Sequence, residues 1–381
     1  MVQKKTNRNI DIQIRLSRPY LGNKQKLMSL IEKVIDSGFL VQGKYVGQFE
    51  QRVANYLGVK HAIAVSSGTA ALHLSLIALG IGLGDEVIVP AYTFPATANV
   101  VELIGAKPVL VDVDLETYNI QVEQIERAIS ANTKAIIPVH LFGNPVDMDL
   151  IMEIAKKHNL WVIEDAAGAL GSTYKSQKCG TIGHLGCFSF HPRKIVTTGE
   201  GGMVVTNDDD IAEQVRSLRN HGIKVIGKKF DFIVCGFNYR MNEVEAVFGI
   251  TQMDELQEVI SERQRLAKLY INKLSSIPDI KFQKVLPNCT TTWQAFVVRF
   301  RNRNSRSVLK ILRNTNIEAN IGTYAIHLLQ WYSEKYGYKS AYYPNATELW
   351  NKTIALPFYN GMTFQDVVDV INTLEVALNE N

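Results

Sequence analysis

Apolar residues along the first two-thirds of the chain follow two spacings. Phe49, Val53, Tyr56 and Leu57 recur at helical intervals, and Gly58 suits the left-handed stop after such a helix. Short apolar runs at 61–65, 86–90, 108–113, 135–139 and 161–164 read as strands. Helices are predicted between them over 70–79, stopped near Gly80, and over 96–104. A third has Ile151, Ile154 and Ala155 on one face, with Asp147 or Asp149 as its cap. Strands that alternate with helices predict an α/β fold, a mostly parallel central sheet covered on both faces. Sheets of this kind bind ligands beyond the carboxyl ends of their strands.

The pattern changes after Gly249. A long helix is predicted over 254–274, with Leu256, Ile260, Leu266, Leu269 and Tyr270 apolar. Strand-like runs follow at 280–282 and 296–300, then helices over 307–314 and 363–378. This reads as a smaller α+β domain. The chain has 381 residues, more than one hydrophobic core usually serves, so two domains are expected: 1–250 and 251–381.

Composition narrows the class. Apolar residues make up 46% and charged residues 20%, the balance of a soluble globular chain. The net charge of +4 is scattered. Basic groups at Lys4, Lys5, Arg8, Arg15 and Arg18, at Lys224, Lys228 and Lys229, and at Arg299, Arg301, Arg303 and Arg306 are short. They lack the interleaved aromatics that would argue for nucleic acid. They read as solvated surface, or as a basic rim that draws in an anionic small molecule. Cys179, Cys187, Cys235 and Cys289 are far apart and form no C-x-x-C pair, which argues against a disulfide framework or a zinc site. No metal is expected. No apolar signal region opens the chain and no run approaches bilayer length, so a cytoplasmic protein without membrane contact is expected.

Three strand ends carry chemistry. At Ser66-Ser67-Gly68-Thr69-Ala70 a strand turns through small residues into a helix. Free N–H groups and the positive end of the helix dipole make that point a phosphate site, although the same residues also form an ordinary cap. At Glu164-Asp165 two acids end a buried strand, and the small residues after them allow a flat ring to approach. A carboxylate there can keep a pyridine nitrogen protonated and make the ring an electron sink; a helix cap is the alternative. At Ser189-Phe190-His191-Pro192-Arg193-Lys194 a lysine follows an apolar strand and precedes Gly199-Glu200-Gly201-Gly202. Burial and cationic neighbours make a lysine amine a nucleophile for an aldehyde, whereas a lone loop lysine is usually a solvated charge.

With these motifs in this order, residues 14–378 resemble the DegT/DnrJ/EryC1/StrS family of sugar aminotransferases, a branch of the fold-type I pyridoxal 5'-phosphate (PLP) enzymes. The most specific stretches are 66–72, 90–99, 164–171, 188–202 and 236–242. The resemblance implies that Lys194 holds PLP covalently and that Asp165 faces its pyridine nitrogen. It implies a phosphate cradle of Gly68, Thr69 and Ser189, with Phe94 stacked on the ring. Asn238 matches a residue that a partner subunit sends to the phosphate, which implies a homodimer with a shared active site. Arg240, Tyr324 and His327 are candidate substrate contacts; a structural salt bridge is the alternative for Arg240. Many relatives carry Gln or His where this chain has Gly168, which leaves open the group that contacts the ring oxygen.

The expected reaction moves an amino group from an amino acid, glutamate being the expected donor, to a nucleotide-linked keto-sugar. A 4-keto-6-deoxyhexose on UDP, GDP or dTDP is the expected acceptor. The alternatives are a PLP-dependent sugar dehydratase or lyase, or an aminotransferase acting on a cyclitol or a 3-keto sugar. Lys194 argues against the family branch that replaces this lysine by histidine and dehydrates. The aromatics Trp331, Tyr332, Tyr336, Tyr338, Tyr342 and Tyr343 read as a packing surface or a loop over the substrate.

Overall fold

The apolar runs of the first half become strands of one seven-stranded sheet in a computed structural model that describes residues 13–379. Lys4, Lys5 and Arg8 of the basic amino end lie outside the described residues. The strands are β1 (His61–Val65), β2 (Glu86–Pro90), β3 (Lys107–Val111), β4 (Thr133–Ile136), β5 (Trp161–Asp165), β6 (Leu185–Ser189) and β7 (Gly202–Thr206). Their order across the sheet is β1-β7-β6-β5-β4-β2-β3. Neighbours from β6 to β3 pair in parallel. Only β7 runs against the rest, inserted antiparallel between β1 and β6. The expected α/β, mostly parallel architecture is what forms. The β4 strand is shorter than its apolar run because Pro138, which has no N–H, interrupts the ladder.

The sheet is buried on both faces, which explains why its strands read as continuous apolar runs. On one side the helices Gly68–Ala78, Ala96–Leu103 and Asp209–Leu218 bring Leu74, Val100 and Val215 to one core. On the other, Lys44–Leu57, Met148–His158 and Glu243–Met253 bring Phe49, Val53, Ile151 and Ile250 to a second. Gly58 ends its helix at φ 73° as anticipated. Asp147, not Asp149, caps the helix Met148–His158, accepting from the Leu150 N–H at 3.4 Å.

A second, antiparallel sheet holds β8 (Ile280–Phe282), β9 (Phe296–Phe300), β10 (Asn320–Ile321) and β11 (Thr353–Leu356) in the order β8-β9-β11-β10. Its core joins Tyr270, Phe296, Phe300, Leu312, Val370 and Leu374. The long helix begins at Leu256, two residues later than its apolar stripe suggests, because Glu243–Met253 is a helix of its own. Leu256, Val259 and Ile260 pack in the core of the first sheet, and Leu266, Tyr270 and Leu274 in that of the second. One helix is thus shared by both cores. The strands Tyr92–Thr93 and Tyr324–Ala325 pair antiparallel and tie the carboxyl end of β2 to the later part of the chain. Tyr332, Tyr336, Tyr338 and Tyr343 pack on the first core, with Tyr332 donating to Asn99 at 2.6 Å and Tyr336 to Glu102 at 2.5 Å, whereas Trp331 and Tyr342 are exposed.

Candidate active site

The loop after β6 is pinned at several points. Phe190 N–H donates to Gly201 O at 2.8 Å, and Thr198 N–H donates to Phe190 O at 2.9 Å. Gln252 accepts from Thr197 N–H at 2.9 Å and donates to Thr197 O at 2.6 Å. Lys194 sits within this closed loop, its N–H on His191 O at 2.8 Å. The side chain opens to a cavity yet has protein on its other sides. Burial lowers the pKa of its amine; the Asp165 carboxylate opposes that and Arg193 adds to it. Among the described residues its ammonium makes no ion pair. An amine in this setting is easier to deprotonate than a solvated one.

Asp165 ends β5, the strand beside β6. The residues after it form turns, so it caps no helix. Its Oδ2 accepts from Thr97 Oγ1 at 2.8 Å and its Oδ1 from Ala167 N–H at 3.2 Å. Burial raises its pKa, while the Thr97 hydroxyl, the Lys194 charge and the Ala167 N–H work against that. Glu164 faces the other way, as period two requires. It accepts from Gly180 N–H at 2.6 Å and Ile182 N–H at 2.6 Å, and it pairs with His140 Nε2 at 2.8 Å. Val146 N–H donates to His140 Nδ1 at 3.2 Å, so that nitrogen carries no proton and Nε2 donates to Glu164. Of the two adjacent acids, Glu164 holds a loop and Asp165 faces the cavity.

The turn after β1 caps the helix Gly68–Ala78. Ser67 Oγ accepts from Ala70 N–H at 3.0 Å. The N–H groups at the helix start have no partner within the helix. A side chain at Gly68 would put its Cβ 2.7 Å from Ser189 Cβ, so only glycine lets this turn lie against the end of β6.

Gly68, Thr69, Phe94, Asp165, Ser189 and Lys194 all line one cavity of about 500 Å³. Phe94 is 63% exposed, so it is not a core residue, and its ring lies edge-on to Tyr324 at 6.1 Å. Four other candidates do not line the cavity. Asn238 is exposed and bridges Asn220 in the backbone. Arg240 makes no ion pair among the described residues; its guanidinium donates to Asn220 Oδ1 at 2.5 Å. Tyr324 stands behind Phe94 and against Trp350. His327 is fully buried, bonded through Nε2 to Thr347 Oγ1 at 2.9 Å and packed on Tyr343, the setting of a core histidine.

Several lining residues had no local signal. Thr97 lies three residues past Phe94, in the first turn of its helix. Gln294, Asn320 and Thr323 arrive from the second sheet and its connections. Among the described residues no group of three or more His, Cys, Asp or Glu is placed to hold a metal ion. No described helix is long and apolar enough to cross a membrane.

The sequence model of the DegT/DnrJ/EryC1/StrS aminotransferase family matches residues 22–375. The GDP-perosamine synthase of Escherichia coli O157:H7 is 37% identical over 359 residues, covering 94% of this chain and 96% of that one. The solved structure of DesV from S. venezuelae, in complex with a ketimine intermediate, superposes with a TM-score of 0.88 at 31% identity, over 96% of this chain and 100% of that one. The PLP form of Spr1654 from Streptococcus pneumoniae gives a TM-score of 0.89 at 26% identity, over 95% of this chain and 97% of that one.

Proposed function

Since the chain belongs to the DegT/DnrJ/EryC1/StrS aminotransferase family, we propose that it uses PLP to move an amino group from glutamate to a nucleotide-linked 4-keto-6-deoxyhexose. The observation that carries this reading is the meeting of Lys194, Asp165, Ser189, Phe94 and the Gly68-Thr69 turn on one cavity. The GDP-perosamine synthase similarity favours GDP over UDP or dTDP as the carrier.

The residues present fit the cofactor. An amine without an ion pair suits an aldehyde, a buried carboxylate suits a protonated ring nitrogen, and a helix start with Ser189 suits a phosphate. When bound, PLP supplies an electron sink for the carbon that carries the transferred nitrogen. In our reading Asp165 holds a proton on the ring nitrogen. Thr97 and Ala167 orient that carboxylate. Phe94 covers the ring and excludes water. The Lys194 amine would take the proton from the amino acid's α-carbon as general base and, as general acid, return it on the far side of the transferred nitrogen.

The site is shared in this reading. Val225, Ile226, Phe230 and Phe232 form an exposed apolar hairpin shortly before Asn238. Apolar surface of that kind supports a homodimer in which each Asn238 reaches the partner's phosphate site. The free cysteines are compatible with a cytoplasmic location.

The test is direct. Purified protein supplied with PLP, glutamate and GDP-4-keto-6-deoxyhexose should form 2-oxoglutarate and an amino-sugar nucleotide in equal amounts, read by mass spectrometry. Loss of oxygen from the sugar without 2-oxoglutarate would establish elimination in place of transfer. A protein whose bound-cofactor absorbance is unmoved by glutamate would refute the amino-acid half of the reading.

A further inference from the structure

The wall of the cavity between Asp165 and Lys194 has an unusual construction. Gly168 stands three residues after Asp165 and presents no side chain. The space is taken by Gln294, which arrives from the second half of the chain. A Cβ on Gly168 would lie 3.2 Å from Gln294 Oε1 and 3.4 Å from its Cγ. The carboxamide Nε2 donates to Arg193 O at 2.8 Å, the residue before Lys194. That uses one of its two N–H groups. Among the described residues nothing donates to Oε1. A side chain with an unspent donor and acceptor therefore faces the cavity, spanning from the Asp165 strand end to the Lys194 loop.

Three further observations show that this placement is enforced. Trp293, just before it, has φ 50°, a left-handed conformation that a bulky residue adopts only where its surroundings hold it there. Gln294 N–H donates to Phe142 O at 2.9 Å, and Arg263 Nη2 donates to Gln294 O at 2.9 Å. Arg263 is itself buried, with no carboxylate partner among the described residues; its guanidinium also reaches Trp293 O through Nε at 3.1 Å. The guanidinium also donates to Asn360 Oδ1 at 3.2 Å and Phe358 O at 3.5 Å, so this buried cation ties the turn that aims Gln294 to the segment after β11.

On the PLP reading above, Asp165 serves the ring nitrogen, Lys194 the aldehyde, and Gly68, Thr69 and Ser189 the phosphate. The ring hydroxyl is the one polar handle of the cofactor left without a donor. We propose that Gln294 is a cofactor-positioning residue whose carboxamide donates to that hydroxyl oxygen, and that Gly168 is glycine because Gln294 fills its place. An N–H donor favours the ionised oxygen, so it eases loss of the proton shared at that edge of the ring.

The test follows the visible absorption band of the bound cofactor against pH in the holoenzyme. Gln294→Met keeps the length and removes the donor; its band should titrate about one pH unit higher than wild type. Gln294→Ala should shift the same way. Gly168→Gln combined with Gln294→Ala returns a carboxamide from the other side of the contact and should bring the titration back toward wild type. Gln294→Met, which keeps the volume, separates a hydrogen-bond role from packing, and recovery in the double variant shows that a carboxamide supplied from either side of the contact serves. A Gln294→Met band that titrates at the wild-type pH, or a double variant that keeps the full shift of Gln294→Ala, would overturn the inference. Wild-type protein that takes up no PLP would instead overturn the function on which it rests.

Discussion

Thr97→Val removes one hydroxyl and almost no volume, and its consequence can be worked through. Thr97 and Asp165 are both buried, and their hydrogen bond is 2.8 Å long. Burial raises the Asp165 pKa, and the Thr97 hydroxyl opposes that most strongly, ahead of the Lys194 charge and the Ala167 N–H. A hydrogen bond to a charged acceptor is worth about 1.5–3 kcal/mol. At about 1.4 kcal/mol per pH unit, its loss raises the carboxyl by a further one to two units or so. The proposed role of Asp165 requires the ionised form. The acid limb of kcat/KM should therefore move to higher pH by at least about one unit, with the alkaline limb in place. Linkage gives a second readout. A higher pKa in the folded chain means that the fold binds the proton more tightly, so the variant's stability deficit is largest at neutral pH. It shrinks as pH falls through the raised pKa. Rate profiles and urea unfolding at neutral and mildly acid pH measure both. An unmoved acid limb, or an equal deficit at the two pH values, would refute this account of Asp165.

Other substitutions probe other links. Borohydride reduction should fix cofactor mass on the wild-type chain and none on Lys194→Ala, which also loses turnover; wild-type turnover in that variant would remove Lys194 from the chemistry. Glu164→Gln replaces a buried carboxylate that accepts from Gly180, Ile182 and His140 with a group that has one acceptor oxygen. It should cost about 3 kcal/mol in urea unfolding, and a cost below about 1 kcal/mol would show that these bonds are dispensable. Phe94 is largely exposed, so Phe94→Ala should change the stability of the cofactor-free protein by less than about 0.5 kcal/mol. Its PLP affinity, measured by equilibrium dialysis, should nonetheless fall several-fold; unchanged affinity would argue against stacking.

The residues differ in how far the linear chain reveals them. Lys194, Asp165 and Gly68 were readable because each follows a buried apolar run, and parallel strands gather their carboxyl ends at one edge. Adjacent residues of a strand, Glu164 and Asp165 face opposite ways, and nothing local says which face the cavity lies on. The neighbours decide that: Gly180, Ile182 and His140 surround one carboxylate, and Thr97 approaches the other. His327 shows the converse. The family resemblance makes it a candidate substrate contact, yet Thr347 and Tyr343 enclose it.

By itself the sequence determined the alternation of strands and helices from 61 to 164, the α/β class and the three motifs, because periodicity, turn chemistry and capping are local properties of the chain. Only the tertiary structure decided that β7 inserts antiparallel between β1 and β6, and that one helix serves two cores. It alone decided that Gln294 fills the space left open at Gly168. Those outcomes depend on contacts between residues far apart in sequence, whose energies arise from packing and burial once the elements meet. No window of neighbouring residues contains them.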